Sequence, residues 1–369
     1  MTHVMNNDVF KIVEELAPKE LAYDWDNVGL QVGSHNKRVN RIMVTLDVLE
    51  NVVDEAIEKD VDLIIAHHPL IFKPLKQLNH DTVKGKIINK LIKHDITVYA
   101  THTNLDIAKG GVNDMLADVL HIKDVKPLVP VKNESLFKLV VFVPKSHQEN
   151  IRDAFSEAGA GHIGEYSHCT FQTEGYGTFK PLEGTNPYSG TVGKVAFEEE
   201  VKIETIVEKK YLSQAIAAMI QAHPYEEVAY DVYPLENKGE LVGLGRIGKL
   251  TEGTTVGEYI EQIKETLSLN HVRYVGNESD HVRTVAVLGG SGEKFIHQAK
   301  QQGADLYVTG DLTFHLAQEA EAIGLAVVDP GHYIEIVMKE HLANHLTNIL
   351  PSTVECIVSE ARTESIRFK

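Results

Sequence analysis

The chain has 369 residues, of which 43% are hydrophobic, so it can bury a large core and is long enough for two or three domains. Its formal net charge of -17 works against direct binding to nucleic acid or to anionic lipid, and no basic patch interrupts this acidic composition. The two cysteines, Cys169 and Cys356, are far apart and outside any metal-ligand spacing, which argues against a disulfide framework and a thiolate zinc site.

The first predicted element is an amphipathic helix over residues 8–20. Apolar residues recur at helical spacing from Val9 to Leu16, and Asp8 is the predicted N-cap. This N-terminal stretch has no basic flank, no apolar core and no cleavage site of a targeting signal, and no later apolar run reaches membrane-spanning length. We therefore expect a cytoplasmic protein that does not enter a membrane.

Strands and helices alternate over residues 41–120 and again over residues 283–346. This alternation predicts mostly parallel sheets with right-handed crossovers. The apolar runs Leu63 to Ala66 and Ile96 to Ala100 are typical of strands buried on both faces. Two similar α/β blocks are thus expected, one near each end of the chain.

The block between them has longer, more alternating strands. Over residues 136–237 the order is β-α-β-β-α-β, which is ferredoxin-like. A Gly, Pro, Ser and Thr-rich loop at 179–193 either is mobile or covers a site. Each outer block alone would leave a sheet edge unpaired. We therefore predict one discontinuous, two-lobed α/β domain with mostly parallel sheets, formed by residues 1–130 and 238–369, and an inserted ferredoxin-like α+β domain at 131–237.

Candidate metal ligands follow three of the predicted strands. His67 and His68 come directly after a buried strand and before Pro69, where both rings can turn toward one crevice. The pair alone is also consistent with two polar loop histidines. His102 and Asp106 follow the next strand, although Asp106 by itself could be a helix or turn cap.

The third pair is His332 and Glu335, which follow the strand at 325–329. Because the two residues are three positions apart, both side chains are expected on one face of the first turn of a helix. The alternative is that Glu335 only stabilises the helix N-terminus through the helix dipole.

Taken together, these strand ends predict a dinuclear metal site. The residues His67, His68, Asp106, His332 and Glu335 are all ligand types of Zn, Mn or Fe. Five ligands exceed the need of one tetrahedral zinc ion, whereas two ions about 3.5–4 Å apart require several ligands and a bridging carboxylate. We expect zinc first, with Mn or Fe as alternatives. The spacing does not determine which carboxylate bridges.

Three further features carry weaker signals. The glycines at 289–292 form either a tight structural turn or an anion cradle, and the segment lacks both the dinucleotide fingerprint and the Walker lysine. His315 is expected at the surface or behind the ligands. Trp25 and Asp26 are expected to serve packing and a turn, or to line the crevice.

Six motifs of the outer blocks resemble those of the NIF-three-like family, also known as GTP cyclohydrolase type 2 homologues. They are WDNVGLQVG, IIAHHPLIF, THTNLD, VAVLGGSG, VTGD and DPGHYIE. Carried over position by position, the resemblance implies a dinuclear site between the two α/β halves. The implied ligands are His67, His68, Asp106, His332 and Glu335.

The middle block resembles the inserted, PII-like and CutA-like domain of the longer bacterial members. The motif HPYEEVAYD at 223–231 supports this likeness. The resemblance also implies a toroidal homohexamer and a cyclohydrolase-like attack on the purine ring of a nucleotide.

Two functional hypotheses follow, from different classes. The first is a metal-dependent hydrolase of a nucleotide or related small molecule, with His102 transferring protons because an imidazole titrates near neutrality. The alternative is a non-catalytic metal-binding regulator or scaffold whose inserted domain senses a small ligand or partner. A nicotinamide-dependent redox enzyme is disfavoured, since the only glycine-rich turn lacks the fingerprint.

Overall fold

The structure is a computed structural model that describes residues 3–367. Its α-helices are α1 (Asn6–Leu16), α2 (Glu50–Glu58), α3 (Val83–Lys93), α4 (Thr103–Ile107), α5 (Val112–Val119), α6 (Gln148–Glu157), α7 (Lys209–Ala222), α8 (Val256–Thr266), α9 (Ile296–Gln301), α10 (Phe314–Ala322) and α11 (Val337–Ile349). Its strands are β1 (Gly29–Val32), β2 (Arg41–Thr45), β3 (Leu63–Ala66), β4 (Thr97–Ala100), β5 (Ile122–Pro144), β6 (Thr170–Phe179), β7 (Ala196–Glu208), β8 (Tyr230–Thr255), β9 (Arg273–Val275), β10 (His281–Ser291), β11 (Leu306–Gly310), β12 (Ala326–Asp329) and β13 (Glu355–Val358). Short 3-10 helices occur at Lys19–Leu21, Lys145–His147, Glu293–Phe295 and His332–Ile336.

The chain divides into two compact units. Unit 1 comprises the residues up to Val131 together with those from Val242 onward, and unit 2 is Lys132–Leu241. Strands β5 and β8 each contain residues of both units. No helix within residues 3–367 combines the length and the apolar character needed to cross a membrane.

A five-stranded sheet in unit 1 has the order β1-β4-β3-β2-β13. Strands β13, β2, β3 and β4 run parallel, and β1 is antiparallel at the edge. All four residues of β3 are buried, as its apolar sequence predicts for a strand covered on both faces. The C-terminal strand β13 joins this otherwise N-terminal sheet by pairing Cys356 with Ile42. That pairing was not predicted.

The second sheet of unit 1 is built mainly from the C-terminal segment, with the first half of β5 beside β8. Strands β10, β11 and β12 are parallel, and β8 and β9 flank them in antiparallel orientation. Helices α5 and α11 contact each other, and one continuous core includes Leu116 of α5, Leu342 of α11 and Val287 of β10. Unit 1 is therefore a mixed α/β structure with two sheets, as expected.

Unit 2 has its own hydrophobic core. Its elements follow the order of the second half of β5, α6, β6, β7, α7 and the first half of β8. Strand β7 pairs antiparallel with both β5 and β6, and α6 contacts α7. Leu139, Ile151, Phe155, Ile203 and Met219 are buried in this core.

Two local predictions require correction, and one short helix was missed. Helix α1 begins at Asn6, and Asp8 is not its N-cap but accepts a hydrogen bond from the N–H of Met5, the actual cap, at 2.9 Å. The short helix α4 was not predicted, because five residues are too few to reveal helical periodicity. His332 and Glu335 lie on the 3-10 helix that precedes α11 rather than on the first turn of an α-helix.

Candidate metal centre

Three segments of unit 1 that follow strands bring the predicted ligands together. His67 and His68 follow β3, and His102 and Asp106 follow β4, at the carboxyl ends of adjacent parallel strands. His332 and Glu335 follow β12 of the other sheet. Parallel strands gather loop residues at one edge, which explains why residues distant in sequence meet here.

The carboxylate of Glu335 lies at the centre of the cluster. Its Oε2 atom is 3.1 Å from Nε2 of His68, 3.3 Å from Nε2 of His332 and 3.8 Å from Nε2 of His67. Glu335 is only 3% exposed. One buried carboxylate oxygen therefore faces three imidazole nitrogens.

Two buried polar atoms of the cluster are left unsatisfied. His67 Nε2 and Asp106 Oδ1 lie 3.5 Å apart, and neither has a hydrogen-bond partner among residues 3–367. A buried polar group without a partner costs about 1–3 kcal/mol. A divalent cation would satisfy an imidazole nitrogen and a carboxylate oxygen at once, so the donor set fits a metal ion.

Hydrogen bonds to carboxylates fix the orientation of the His68 and His332 rings. Nδ1 of His68 is 2.7 Å from Oδ1 of Asp47, and Nδ1 of His332 is 2.7 Å from Oδ2 of Asp311. A carboxylate that accepts from Nδ1–H leaves Nε2 as the free lone pair and makes it more basic. This arrangement accompanies metal-ligating histidines in proteins.

The other two rings are held in the same way. His67 donates from Nδ1 to the carbonyl oxygen of Thr101 at 2.9 Å, and His102 donates from Nδ1 to Oδ1 of Asp26 at 2.9 Å. Asp26 also accepts from the N–H and hydroxyl of Thr103, at 3.0 and 2.5 Å. All four Nε2 atoms are thus available on the cluster side.

Three overlapping groups of these residues have ligand atoms within 4.8 Å of one another. They are His67, His68 and His102; His68, His332 and Glu335; and His67, Asp106 and Glu335. The ring of His102 lies 5.2 Å from that of His67 and 5.6 Å from that of His68, by ring centroids. His102, predicted near but outside the ligands, therefore also belongs to one group that could hold an ion.

The charges within the cluster are strongly coupled. Burial opposes the charged form of His68, but Asp47 and Glu335 outweigh it and raise its pKa to about 10. The hydrogen bond to Glu335 raises the pKa of His332 to about 9. Burial raises the pKa of Asp106 to about 6. Without metal, His68 and His332 are protonated on both ring nitrogens at neutral pH, so metal binding at these two rings must release protons.

The glycine turn at 289–292 makes room for Glu335. A Cβ on Gly290 would lie 2.5 Å from Glu335 Oε1 and 3.3 Å from His332 Nε2, and the φ of Gly290 is +62°. Asn113 of α5 connects this turn with Asp106, because its side chain accepts from the N–H of Gly289 and donates to the carbonyl of Asp106, both at 2.9 Å. These contacts favour the tight structural turn over an anion cradle.

Sequence reasoning missed Asp47, Asp311 and Asn113. Asp47 lies two residues after β2 and Asp311 directly after β11, so the strand-end signal that identified the histidines applied to them as well. Asp26 and Trp25 line the crevice, since Trp25 lies 6.2 Å from His102 between ring centroids. Exposed His315 is outside all three groups among the described residues.

The sequence and the fold both match known proteins. The profile of the family Duf34/NIF3 (NGG1p interacting factor 3) matches residues 4–365. A Bacillus subtilis protein described as "GTP cyclohydrolase 1 type 2 homolog" is 50% identical over 368 residues, which cover 99% of each chain. The crystal structure of a Bacillus cereus protein related to NIF3 is 49% identical with a TM-score of 0.90, and one of a Staphylococcus aureus protein is 33% identical with a TM-score of 0.72. Both alignments cover 100% of both chains.

Proposed function

This chain belongs to the Duf34/NIF3 family, and on that premise we propose that it is a metal-dependent hydrolase that binds two divalent ions in the cluster around Glu335. The observation that carries the proposal is the pair of buried, unpaired atoms, His67 Nε2 and Asp106 Oδ1, beside a carboxylate that faces three imidazoles. Zinc is the first choice, and Mn and Fe accept the same ligands.

Each ion would be held by one of two groups. His68, His332 and Glu335 would hold one ion, and His67, Asp106 and Glu335 would hold the other. Glu335 belongs to both groups, so it is the carboxylate that would bridge. His102 lies beside His67 and His68 and is left for proton transfer.

When bound, such ions lower the pKa of a water to about 7 and polarise a carbonyl, imine or phosphoryl oxygen. The chain itself contributes the orientation of His102. Asp26 accepts from its Nδ1–H, which leaves Nε2 to take a proton from water and return it to a leaving group. The name of the Bacillus subtilis relative supports a nucleotide or a related small molecule as substrate.

Elemental analysis by mass spectrometry tests the site. Protein purified without chelators should carry about two ions per chain. His67→Ala and Glu335→Ala should both lower this number, whereas His315→Ala, which removes an exposed histidine outside the three groups, should not. Wild-type protein that stays metal-free after reconstitution with Zn, Mn and Fe would refute the proposal.

Turnover separates the hydrolase from its alternative, a non-catalytic metal-binding regulator or scaffold. The separate core of unit 2 favours that alternative, because a unit that folds around its own core can sense a ligand or partner. Metal-loaded wild-type protein and the Asp106→Asn variant are incubated in parallel with GTP and other nucleotides, and hydrolysis is measured. Hydrolysis that Asp106→Asn abolishes supports the enzyme. No turnover, with reduced thermal stability or assembly in the variant, supports the regulator.

Two further expectations belong to this proposal. The order β-α-β-β-α-β of unit 2 supports a ferredoxin-like, PII- or CutA-like inserted domain. We also propose a homohexamer, which light scattering would test as a mass six times that of the 41.0 kDa chain. A monomeric mass at micromolar concentration would contradict it. The cytoplasmic location stays a prediction.

A further inference from the structure

Unit 2 contains a cavity that the metal centre does not use. Its volume is about 660 Å³, and all of its lining residues lie between Phe142 and Ala229. Strand β6, the loop at 180–189 and the segment 225–229 form its walls. The volume falls in the range of about 300–1,000 Å³ that is typical of small-molecule sites.

Three aromatic side chains line this cavity side by side, and we call them the aromatic cage. The ring of Tyr225 lies 6.0 Å from that of Phe179 and 5.9 Å from that of Tyr188, between centroids, with interplanar angles of 55° and 48°. Because all three residues line the cavity, a ligand there would contact each of them. The negative face of an aromatic ring attracts cations within about 6 Å of its centroid.

A carboxylate is fixed next to the cage. Tyr225 donates from its hydroxyl to Oε1 of Glu200 at 2.9 Å. A Cβ on Gly177 of β6 would overlap Oε2 of Glu200, so the glycine is what lets the carboxylate lie there. Burial, together with Glu200, raises the pKa of Tyr225, which keeps its hydroxyl a donor.

The cavity is acidic as well as aromatic. Its lining includes four glutamates, Glu174, Glu200, Glu226 and Glu227, but only two lysines, Lys180 and Lys202. Glu174 pairs with Lys145 at 2.6 Å and Lys202 pairs with Glu204 at 3.2 Å. Glu200, Glu226 and Glu227 therefore remain against Lys180. This balance disfavours phosphates and carboxylic acids as ligands.

The HPYEE motif holds the cage in place. His223, only 8% exposed, hydrogen-bonds the carbonyl of Phe142 through Nε2 at 3.0 Å and accepts from the N–H of Tyr225 through Nδ1 at 3.1 Å. Both carboxylate oxygens of Glu226 accept from the N–H of Asn186 at 3.2 Å, which fixes the loop wall. The cage therefore rests on hydrogen bonds of buried or ordered groups.

We propose that this cavity binds a small organic cation, an ammonium group on an apolar body. The rings of Phe179, Tyr188 and Tyr225 surround the apolar body and face the positive charge, and Glu200 neutralises that charge. A neutral apolar molecule would leave the fixed carboxylate without a counter-charge. All residues that line the cavity belong to unit 2, whereas the candidate metal ligands belong to unit 1.

Calorimetry on the full chain with two matched probes tests the proposal. Choline is a cation, and 3,3-dimethyl-1-butanol is its neutral isostere of the same shape. Choline should bind once per chain and at least about tenfold more tightly than the alcohol. His67→Ala should leave the affinity for choline unchanged, because the cavity lies within unit 2.

Two variants address the residues directly. Glu200→Gln keeps the shape but removes the charge, and should weaken choline binding about tenfold without affecting the alcohol. Tyr188→Leu should also weaken choline binding, whereas Tyr166→Leu, which removes a 75% exposed ring of unit 2 outside the cavity, should not. Equal affinity for both probes, unchanged affinity in Glu200→Gln, or no heat with about 20 mM choline would each overturn the proposal.

Discussion

The buried side chain of Asn113 accepts a hydrogen bond from the backbone N–H of Gly289 at 2.9 Å, and so connects two segments that are 176 residues apart in the chain. The same side chain donates to the carbonyl of the candidate ligand Asp106. Gly289 in turn lies against Glu335, because a Cβ on this glycine would be 3.0 Å from Cγ of Glu335. The side chain of Asn113 therefore holds the backbone of Asp106 directly and supports the position of Glu335 through Gly289.

Asn113→Ala should weaken both stability and metal retention. It leaves the N–H of Gly289 and the carbonyl of Asp106 without partners, which should lower the free energy of unfolding by about 2–4 kcal/mol. Urea unfolding and elemental analysis measure the two effects. Asn51→Ala is the control, since Asn51 is exposed and its side chain, besides the adjacent N–H of Val52, hydrogen-bonds only the carbonyl of Arg362 among the described residues. Equal losses of stability and metal in the two variants would contradict the role of Asn113 in connecting Gly289 with Asp106.

Gly290→Ala should displace Glu335 and release metal. The new Cβ would lie 2.5 Å from Oε1 of Glu335, at a φ of +62°. Gly324→Ala is a matched control, because Gly324 has a φ of +67° and only Lys300 Nζ, at 3.9 Å, near its Cβ position. Both variants should lose about 1 kcal/mol of stability from backbone strain, measured by thermal unfolding. Only Gly290→Ala should lose metal. If its metal content stays at the wild-type level, metal binding does not depend on the position of Glu335.

Asp26→Ala should free the ring of His102. The carboxylate accepts from Nδ1 of His102 at 2.9 Å and so selects the tautomer with its proton on Nδ1. Long-range ¹H–¹⁵N spectra should show one tautomer in wild type and a mixture in the variant. Asp24→Ala, at an exposed neighbouring position, serves as the control. Loss of such an orienting group typically reduces metal affinity or activity about 10–100-fold.

Glu55→Gln should reduce stability in a pH-dependent way. Glu55 accepts hydrogen bonds from Lys59 at 2.8 Å, from the hydroxyl of Ser359 at 2.6 Å, and from the N–H groups of Glu360 and Ala361 at 2.9 and 3.1 Å. Burial opposes ionisation, but these bonds outweigh it and lower its pKa from 4.5 to about 2. A lowered pKa stabilises the fold above the unfolded-state value, and that contribution disappears as the pH falls from 4.5 through about 2.

Urea unfolding of wild type and Glu55→Gln between about pH 2 and pH 8 measures this difference. The difference in unfolding free energy between wild type and Glu55→Gln should be largest above about pH 5 and should disappear toward about pH 2. Glu58→Gln is the control, because Glu58 is exposed on the same helix and should show no such dependence. A gap that is constant with pH would mean that Glu55 acts by packing and not by its charge.

Local patterns were sufficient for much of the fold. The alternation of strands and helices predicted over residues 41–120 is observed, with helices α2 (Glu50–Glu58) and α3 (Val83–Lys93), and the apolar run Leu63–Ala66 is strand β3. These elements are revealed by the periodicity of apolar side chains, which is a property of residues close together in the sequence. The ends of helices were less accurate, because caps involve single hydrogen bonds such as that between Met5 and Asp8.

The order of residues along the chain was enough to predict the alternation of strands and helices and the residue types that follow the strands, and through them the candidates His67, His68, Asp106, His332 and Glu335. Three further features are visible only in the folded chain: β13 completes the N-terminal sheet, Asp47 and Asp311 orient two of the rings, and Asn113 connects Gly289 with Asp106. The two kinds of feature differ in the sequence distance over which their contacts act. Periodicity is encoded in neighbouring residues, whereas hydrogen bonds between residues up to 314 positions apart, such as that of Arg41 with Glu355, form only once the whole chain has packed.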